Sequence, residues 1–205
     1  KKLLFMGQEF GQFIEWDEKK QLDWMLLGYD KHRQLQSYVK DLNHLYRDIP
    51  ALWQVDYSWE GFQWIVPDDN QQSVIAFLRR DAAGKMLMIV CNFNPVLRQN
   101  YEMGVPNPGS YKEILNSDDP KYGGSGVTNG TVRSKKGEMH GFEQHVSLTL
   151  PPLSTLYFQV PAARKPRAKK DEETEAKPAA KAKKTAAAKT AAPKRSRTTK
   201  AKSQA

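Results

Sequence analysis

Lys1-Lys2-Leu3-Leu4-Phe5-Met6-Gly7-Gln8-Glu9-Phe10-Gly11-Gln12 opens the chain with four consecutive apolar residues, then breaks into glycine, amide and acid. A short apolar run closed by a glycine reads as a strand buried on both faces, as in parallel sheets covered by helices. Leu3 and Phe5 would point one way and Leu4 and Met6 the other, so neither side would face water. Such a strand needs a neighbour on each edge, and we expect those neighbours upstream of Lys1. Gln8 and Glu9 then fall at its carboxyl end, where parallel α/β folds gather binding and catalytic groups.

Working outward, residues 13–29 form a loop of acids and aromatics, with Glu15-Trp16-Asp17-Glu18 followed by Leu22-Asp23-Trp24-Met25-Leu26-Leu27-Gly28. A tryptophan beside carboxylates suits a sugar: the ring covers the C–H face and the carboxylates accept hydroxyl hydrogen bonds. Packing under the loop is the competing reading for both Trp16 and Trp24. Asp30 is placed to cap a helix running to about Asp48. Leu35, Tyr38, Val39, Leu42, Leu45, Tyr46 and Ile49 lay one stripe along it, and Pro50 ends it. We expect this helix to cover the sheet of the opening strand. His32 and His44 on it match no metal spacing.

From Tyr57 the period changes from 3.6 to 2. Strands are predicted at 62–66, 73–80, 86–93, 99–103, 111–115, 131–133, 145–150 and 154–160, separated by turn residues. That pattern describes an antiparallel sandwich. Cys91, the single cysteine, sits inside an apolar strand as a buried thiol and leaves no intrachain disulfide, which fits a reducing, cytoplasmic compartment. Tyr122-Gly123-Gly124-Ser125-Gly126 lacks the ending of a phosphate loop and reads as a flexible hairpin. No apolar run has the length of a membrane span. No cofactor or metal is implied, His140 and His145 having no partners at ligand spacing.

Composition changes at Ala162. Beyond it there is no aromatic residue and no Leu, Ile, Val or Met. Fifteen of the 32 basic residues fall there with 4 of the 23 acidic ones, leaving the first 161 residues with 17 basic and 19 acidic groups. The net charge of +9 thus belongs to the tail, and the folded part is mildly acidic. A Lys/Ala/Pro-rich stretch of this kind buries too little apolar surface to offset chain entropy, so we expect disorder from 162 to 205.

Several stretches together resemble a known family. Met6–Gln12 looks like the segment ending the eighth barrel strand of α-amylase-type glycoside hydrolases. Leu22-Asp23-Trp24, Asn43–Arg47, Phe62–Trp64, Asn92–Pro95, Glu113–Asp118, Tyr122–Ser125 and Leu150–Thr155 narrow the resemblance to the carboxyl third of bacterial 1,4-α-glucan (glycogen) branching enzymes. It implies a fragment of a (β/α)8 barrel (last strand, loop and helix, residues 1–56), an all-β antiparallel sandwich (57–161) and an added basic tail (162–205). The reaction implied cleaves an α-1,4 glucan bond and passes the chain to a 6-hydroxyl, creating an α-1,6 branch in glycogen biosynthesis. It is a retaining double displacement on two carboxyl groups about 5–5.5 Å apart. The family's Asp, Glu and Asp lie on earlier barrel strands, so no catalytic residue falls within this chain, which is expected to be inactive alone.

The implied partner is an α-glucan, glycogen- or amylose-like. The candidate contacts are Gln8, Glu9 and Trp16, with Glu9 shaping the floor of the substrate cleft or simply tying adjacent loops together. The competing function class is a non-catalytic β-sandwich binding module tethered by its tail to nucleic acid or another polyanion. Such binding would be weak, salt-dependent and blind to sequence, since the tail has cations and no stacking residue. A solvated extension without a partner is the other reading of the tail.

Overall fold

The computed structural model describes residues 2–163, so the disorder expected for the tail falls, apart from Ala162 and Ala163, outside the described residues. One long helix, α1 (Asp30–Asp48), precedes nine strands: β1 (Phe62–Asp69), β2 (Val74–Arg80), β3 (Met86–Asn92), β4 (Arg98–Val105), β5 (Ser110–Asn116), β6 (Thr131–Arg133), β7 (Lys135–Met139), β8 (Phe142–Leu150) and β9 (Ser154–Gln159). Six of them form one sheet in the order β1-β2-β3-β9-β5-β6 and three form a second, β4-β8-β7, neither closed into a barrel. Every pairing is antiparallel. The expected sandwich is there, with a helix ahead of it.

The main core lies between the two sheets. Val74, Ala76 and Leu78 of β2, Met88 and Val90 of β3, and Leu156 and Phe158 of β9 meet Tyr101, Met103, Val105, Val146 and Leu148 from the smaller sheet. Alternation along β3 sends Leu87, Ile89 and Cys91 to the opposite face. There they join Ala51 and Leu52, with Leu45, Tyr46 and Ile49 packed against them. The strand buried on both sides is therefore β3. The edge strand β1, two places away in the sheet, carries the irregularities that edges tolerate: it shifts register against β2 between Trp64 and Val66 and again before Asp69, around Pro67, which has no N–H to donate to a ladder.

Where the sequence predicts a buried strand at Leu3–Met6, the structure shows residues unpaired with any strand among those described, with Leu3 82% exposed. Ladder hydrogen bonds hold a strand, and none of the described strands lends an edge to this stretch. The helix also differs in placement. Instead of covering a sheet built on that opening stretch, α1 lies on the outer face of the six-stranded sheet. Its apolar stripe supplies Leu45, Tyr46 and Ile49 there, while no residue of the helix is fully buried. Asp30 is its first residue, not its cap, and forms an ion pair with Arg33 one turn on. The Arg33 guanidinium also donates to the carbonyls of Leu27 (3.0 Å) and Gly28 (2.9 Å), tying the loop to the helix. Ile49 donates back to Leu45 (3.0 Å), and Pro50 starts a short 3₁₀ turn.

Two side-chain knots fasten the helical part to the sandwich. Asp56 accepts from Arg79 of β2 at 2.6 Å and from Lys2 at 3.0 Å, while Lys2 also donates to the Leu52 carbonyl. The Arg79 hydrogen bond, with help from Lys2, holds the Asp56 carboxyl down at about 2. The second knot is the glycine-rich loop, which is not the free hairpin that its composition suggests. Asp118 accepts from Ser125 N–H (2.9 Å), Ser125 Oγ (2.6 Å) and Val127 N–H (3.1 Å), fixing the loop from within. Tyr122 then donates to Asp41 of α1 (2.6 Å), Lys121 pairs with the same carboxylate (3.1 Å), and the Tyr38 and Tyr122 rings meet edge-on at 5.1 Å. Gly123, beside Gln34 of the helix, has φ +84°, a left-handed backbone that favours glycine at this point.

The one strand without a counterpart in the sequence reading is β7, Lys-Lys-Gly-Glu-Met. It is exposed on the edge of the small sheet and has no apolar alternation to betray it. The turn into β8 is two residues long, Met139 opposing Phe142, with His140 at φ 49° and Gly141 at φ 77°. Both left-handed, they make the tight hairpin turn usually signalled by Asn-Gly or Asp-Gly. His140 is thus a turn residue, and its Nδ1 accepts from Gly104 N–H at 3.2 Å.

Candidate functional site

The Gly7–Gln12 segment folds as a 3₁₀ turn, Gln8–Phe10, between two left-handed glycines, Gly7 at φ +86° and Gly11 at φ +70°. Phe10 anchors it. Its ring is fully buried and meets Trp24 at 5.3 Å between centroids, and its carbonyl accepts from His32 Nδ1 of α1 at 2.7 Å. Gln12 pins the following loop: its Oε1 accepts from Asp23 N–H (2.9 Å) and its Nε2 donates to the Ile14 carbonyl (3.1 Å). A buried ring and directional bonds from α1 and Gln12 thus hold in place a turn whose polar side chains point outward.

The three residues singled out from the sequence divide into two groups. Gln8 is exposed and its Oε1 accepts from Phe5 N–H at 3.0 Å. Trp16, 38% exposed, stands edge-on to the same Phe5, 5.6 Å between centroids at 82°. Gln8 thus engages the backbone of Phe5 and Trp16 its ring. Glu9 turns the other way, into a cleft of about 350 Å³ shared with Gln36, Lys40, Asn43, His44 and Arg47 of α1. Asp17 is engaged locally, accepting from Lys19 N–H and pairing with Lys20 at 3.2 Å. Trp24 packs on Phe10, as the packing reading has it, and stays half-exposed.

Among the described residues no group of three or more His, Cys, Asp or Glu is arranged to hold a metal ion. Cys91 lies under α1, its thiol pushed up by burial, with Thr155 Oγ1 at 3.6 Å. Among the described residues no helix is long and apolar enough to cross a membrane.

An aromatic surface on the β1–β2 edge escaped the sequence reading. Phe62 and Phe77 stack at 5.3 Å, and Trp64 stands perpendicular to both, at 4.9 and 5.9 Å. Trp64 is 47% exposed and Trp59, just ahead of the strand, 91% exposed. The Phe62-x-Trp64 alternation signals a ring-bearing strand face, but only the structure shows that α1 stops short of covering it.

Residues 64–161, from the first strand of the sandwich to just beyond its last, match the family described as alpha amylase, C-terminal all-beta domain. The 1,4-alpha-glucan branching enzyme GlgB of Aquifex aeolicus is 52% identical over 161 residues, and those of Halothermothrix orenii and Rubrobacter xylanophilus are each 49% identical over 161 and 160 residues. The chain resembles the bacterial branching enzymes. Each alignment takes in 78% of this chain, more than the sandwich holds, so the likeness extends to residues outside it. The chain spans about a quarter of the length of these relatives, 26% for the first two and 22% for the third.

Proposed function

We propose that this chain is the carboxyl part of a 1,4-alpha-glucan branching enzyme, with residues 1–56 closing a catalytic (β/α)8 barrel, 57–161 forming its β domain and 162–205 an addition. In the whole enzyme an upstream carboxylate attacks the anomeric carbon of an α-1,4-linked glucosyl unit, while an upstream carboxylic acid protonates the departing glucan oxygen. The same group, now a carboxylate, takes the proton from an acceptor 6-hydroxyl, and that oxygen displaces the enzyme to leave an α-1,6 branch. This chain contributes cleft wall: Gln8 and Trp16, gathered around Phe5, contact a glucosyl unit, and Glu9 shapes the floor from the α1 side.

The observation that carries this reading is the 49–52% identity over 161 residues, more than the sandwich alone holds. The test joins the upstream three-quarters of the Aquifex aeolicus relative to this chain and follows the iodine spectrum of amylose. The hybrid is expected to shift the spectrum and the chain alone to leave it unchanged. A folded hybrid without activity, or a spectral shift from the chain alone, overturns the proposal. In an active hybrid, Trp16→Ala is expected to raise KM severalfold with a smaller change in kcat, as loss of uniform substrate binding does.

A further inference from the structure

α1 is seated on the sandwich unequally along its length. Its apolar stripe packs only the carboxyl-terminal half on the sheet, through Leu45, Tyr46 and Ile49, and no residue of the helix is fully buried. At about 1.5 Å per residue His32 lies about 25 Å along the axis from Ile49, so a tilt of about 5° there carries His32 by about 2 Å. His32 Nδ1 donates to the Phe10 carbonyl at 2.7 Å, a hydrogen bond that is lost on a displacement of that size. The turn therefore needs a contact nearer the helix middle that fixes the tilt. We propose that Tyr122 is a positioning residue for the candidate glucan contacts: its hold on Asp41 sets the tilt of α1 and thereby, through His32, the turn that bears Gln8 and Glu9.

The loop that carries Tyr122 is itself fixed to the larger sheet. Ser117 N–H donates to the Thr155 carbonyl of β9 (3.1 Å), and Ser117 Oγ accepts from Thr155 N–H (2.8 Å). Asp118 holds the far side of the loop through Ser125 and Val127, and Asp119 accepts from Lys121 N–H at 2.9 Å. From that base the Tyr122 hydroxyl reaches Asp41 at 2.6 Å, and its ring meets Tyr38 one turn earlier on the helix at 5.1 Å. Of the two groups on the Asp41 carboxylate, the hydroxyl is the stronger hold. Lys121 is 55% exposed, and an ion pair in water contributes little, whereas the Tyr122 hydrogen bond is the largest cause of the lowered Asp41 carboxyl. The consequence for glucan rests on the function proposed above, while the mechanical link from Tyr122 to the turn stands on the contacts alone.

Two measurements separate the link from the function. In the 205-residue chain the amides of Phe10, Gly11 and Gln12 are bonded within the turn, at 3.3, 3.3 and 3.0 Å, so their hydrogen exchange reports its integrity. Tyr122→Phe and Asp41→Ala are each expected to quicken that exchange severalfold. Asp41→Asn, which keeps an oxygen for the hydroxyl, should quicken it much less. Added to His32→Ala, Tyr122→Phe should have no further effect, because the bond it acts through is gone. In the active hybrid enzyme Tyr122→Phe is expected to raise KM for amylose severalfold with a smaller change in kcat. Simple loss of folded protein would instead lower the apparent kcat and leave KM alone. Wild-type exchange at residues 10–12 in both Tyr122→Phe and Asp41→Ala overturns the proposal. So do effects of Tyr122→Phe and His32→Ala that add in full, and so does an active Tyr122→Phe hybrid with wild-type KM. A hybrid that does not branch sinks the branching role, and the exchange rates of the chain then decide whether Tyr122 sets the turn.

Discussion

Asp56→Asn removes the charge at the knot joining Lys2, the 50–52 turn and β2. The Asp56 side chain is only 9% exposed and takes hydrogen bonds from Arg79 (2.6 Å) and Lys2 (3.0 Å), so its carboxyl sits at about 2 against an ordinary 3.8. One pKa unit corresponds to about 1.4 kcal/mol, so the shift amounts to roughly 2.5 kcal/mol in favour of the folded state. Lys2 is 46% exposed and water screens its share, which brings the expected contribution to about 2 kcal/mol. A carboxyl whose pKa is lowered on folding contributes fully above its unfolded value and loses that contribution as pH falls through the folded one. Urea unfolding should therefore show the wild type about 2 kcal/mol more stable than Asp56→Asn at pH 7, with the gap narrowing between about pH 4 and pH 2. A difference as large at pH 2 as at pH 7 would refute the assignment, since the charge would then not be its source.

Three further perturbations probe the sandwich and its clamp. Tyr111→Phe leaves Asn107 without the hydroxyl that donates to its carbonyl (2.7 Å) and accepts from its N–H (3.2 Å), in a site buried enough to push the phenol up to about 12. A loss of about 1–3 kcal/mol in denaturant unfolding is expected. Gly104→Ala would place a Cβ 2.0 Å from the Met139 carbonyl oxygen, forcing β4 away from the β7–β8 turn. The expected result is a lower Tm, by the equivalent of about 1–3 kcal/mol. Tyr122→Phe removes the hydrogen bond that does most to hold the Asp41 carboxyl low. Amide exchange should quicken along α1 while β3 and β9 keep their protection.

The sandwich was legible because its strands announce themselves by alternation. Val74-Ile75-Ala76-Phe77-Leu78 and Ser154–Val160 place every second residue inside, and the structure pairs them as that pattern demands. What alternation cannot tell is whether the other face is also covered. Met86–Phe93 reads as one apolar run, and only the packing of Ala51, Leu52 and Leu45 beneath Leu87 and Ile89 shows why both faces needed it. β7 stayed hidden because an exposed edge strand needs no apolar residues, only a partner and a two-residue turn. The glycine loop misled for a related reason. Its glycines suggest slack, yet Asp118 and Tyr122, each modest in a composition count, convert it into a brace. At the candidate site the sequence marked only the break after Met6 and put Gln8 and Glu9 at the end of a strand; the 3₁₀ turn between Gly7 and Gly11, and the opposite facing of Gln8 and Glu9, depend on bonds to Phe5 and on the approach of α1, which lie beyond local spacing.

The position of α1 links these observations. Its amino-terminal half holds the candidate turn, through His32 bonded to the Phe10 carbonyl and Leu35 packed near Gly11. Its carboxyl-terminal half is seated on β3 and gripped by the loop after β5. Glu9 faces the middle of the same helix, across from Lys40 and His44. A helix is stiff along its length, so the orientation of the turn is set by how firmly the helix rests on the sandwich. The sheet thus does more than terminate the chain: by burying β3 on both sides it supplies the fixed surface from which the candidate glucan contacts are positioned. Loosening the Tyr122–Asp41 grip in the hybrid enzyme should therefore disturb glucan handling without touching any residue that meets the sugar.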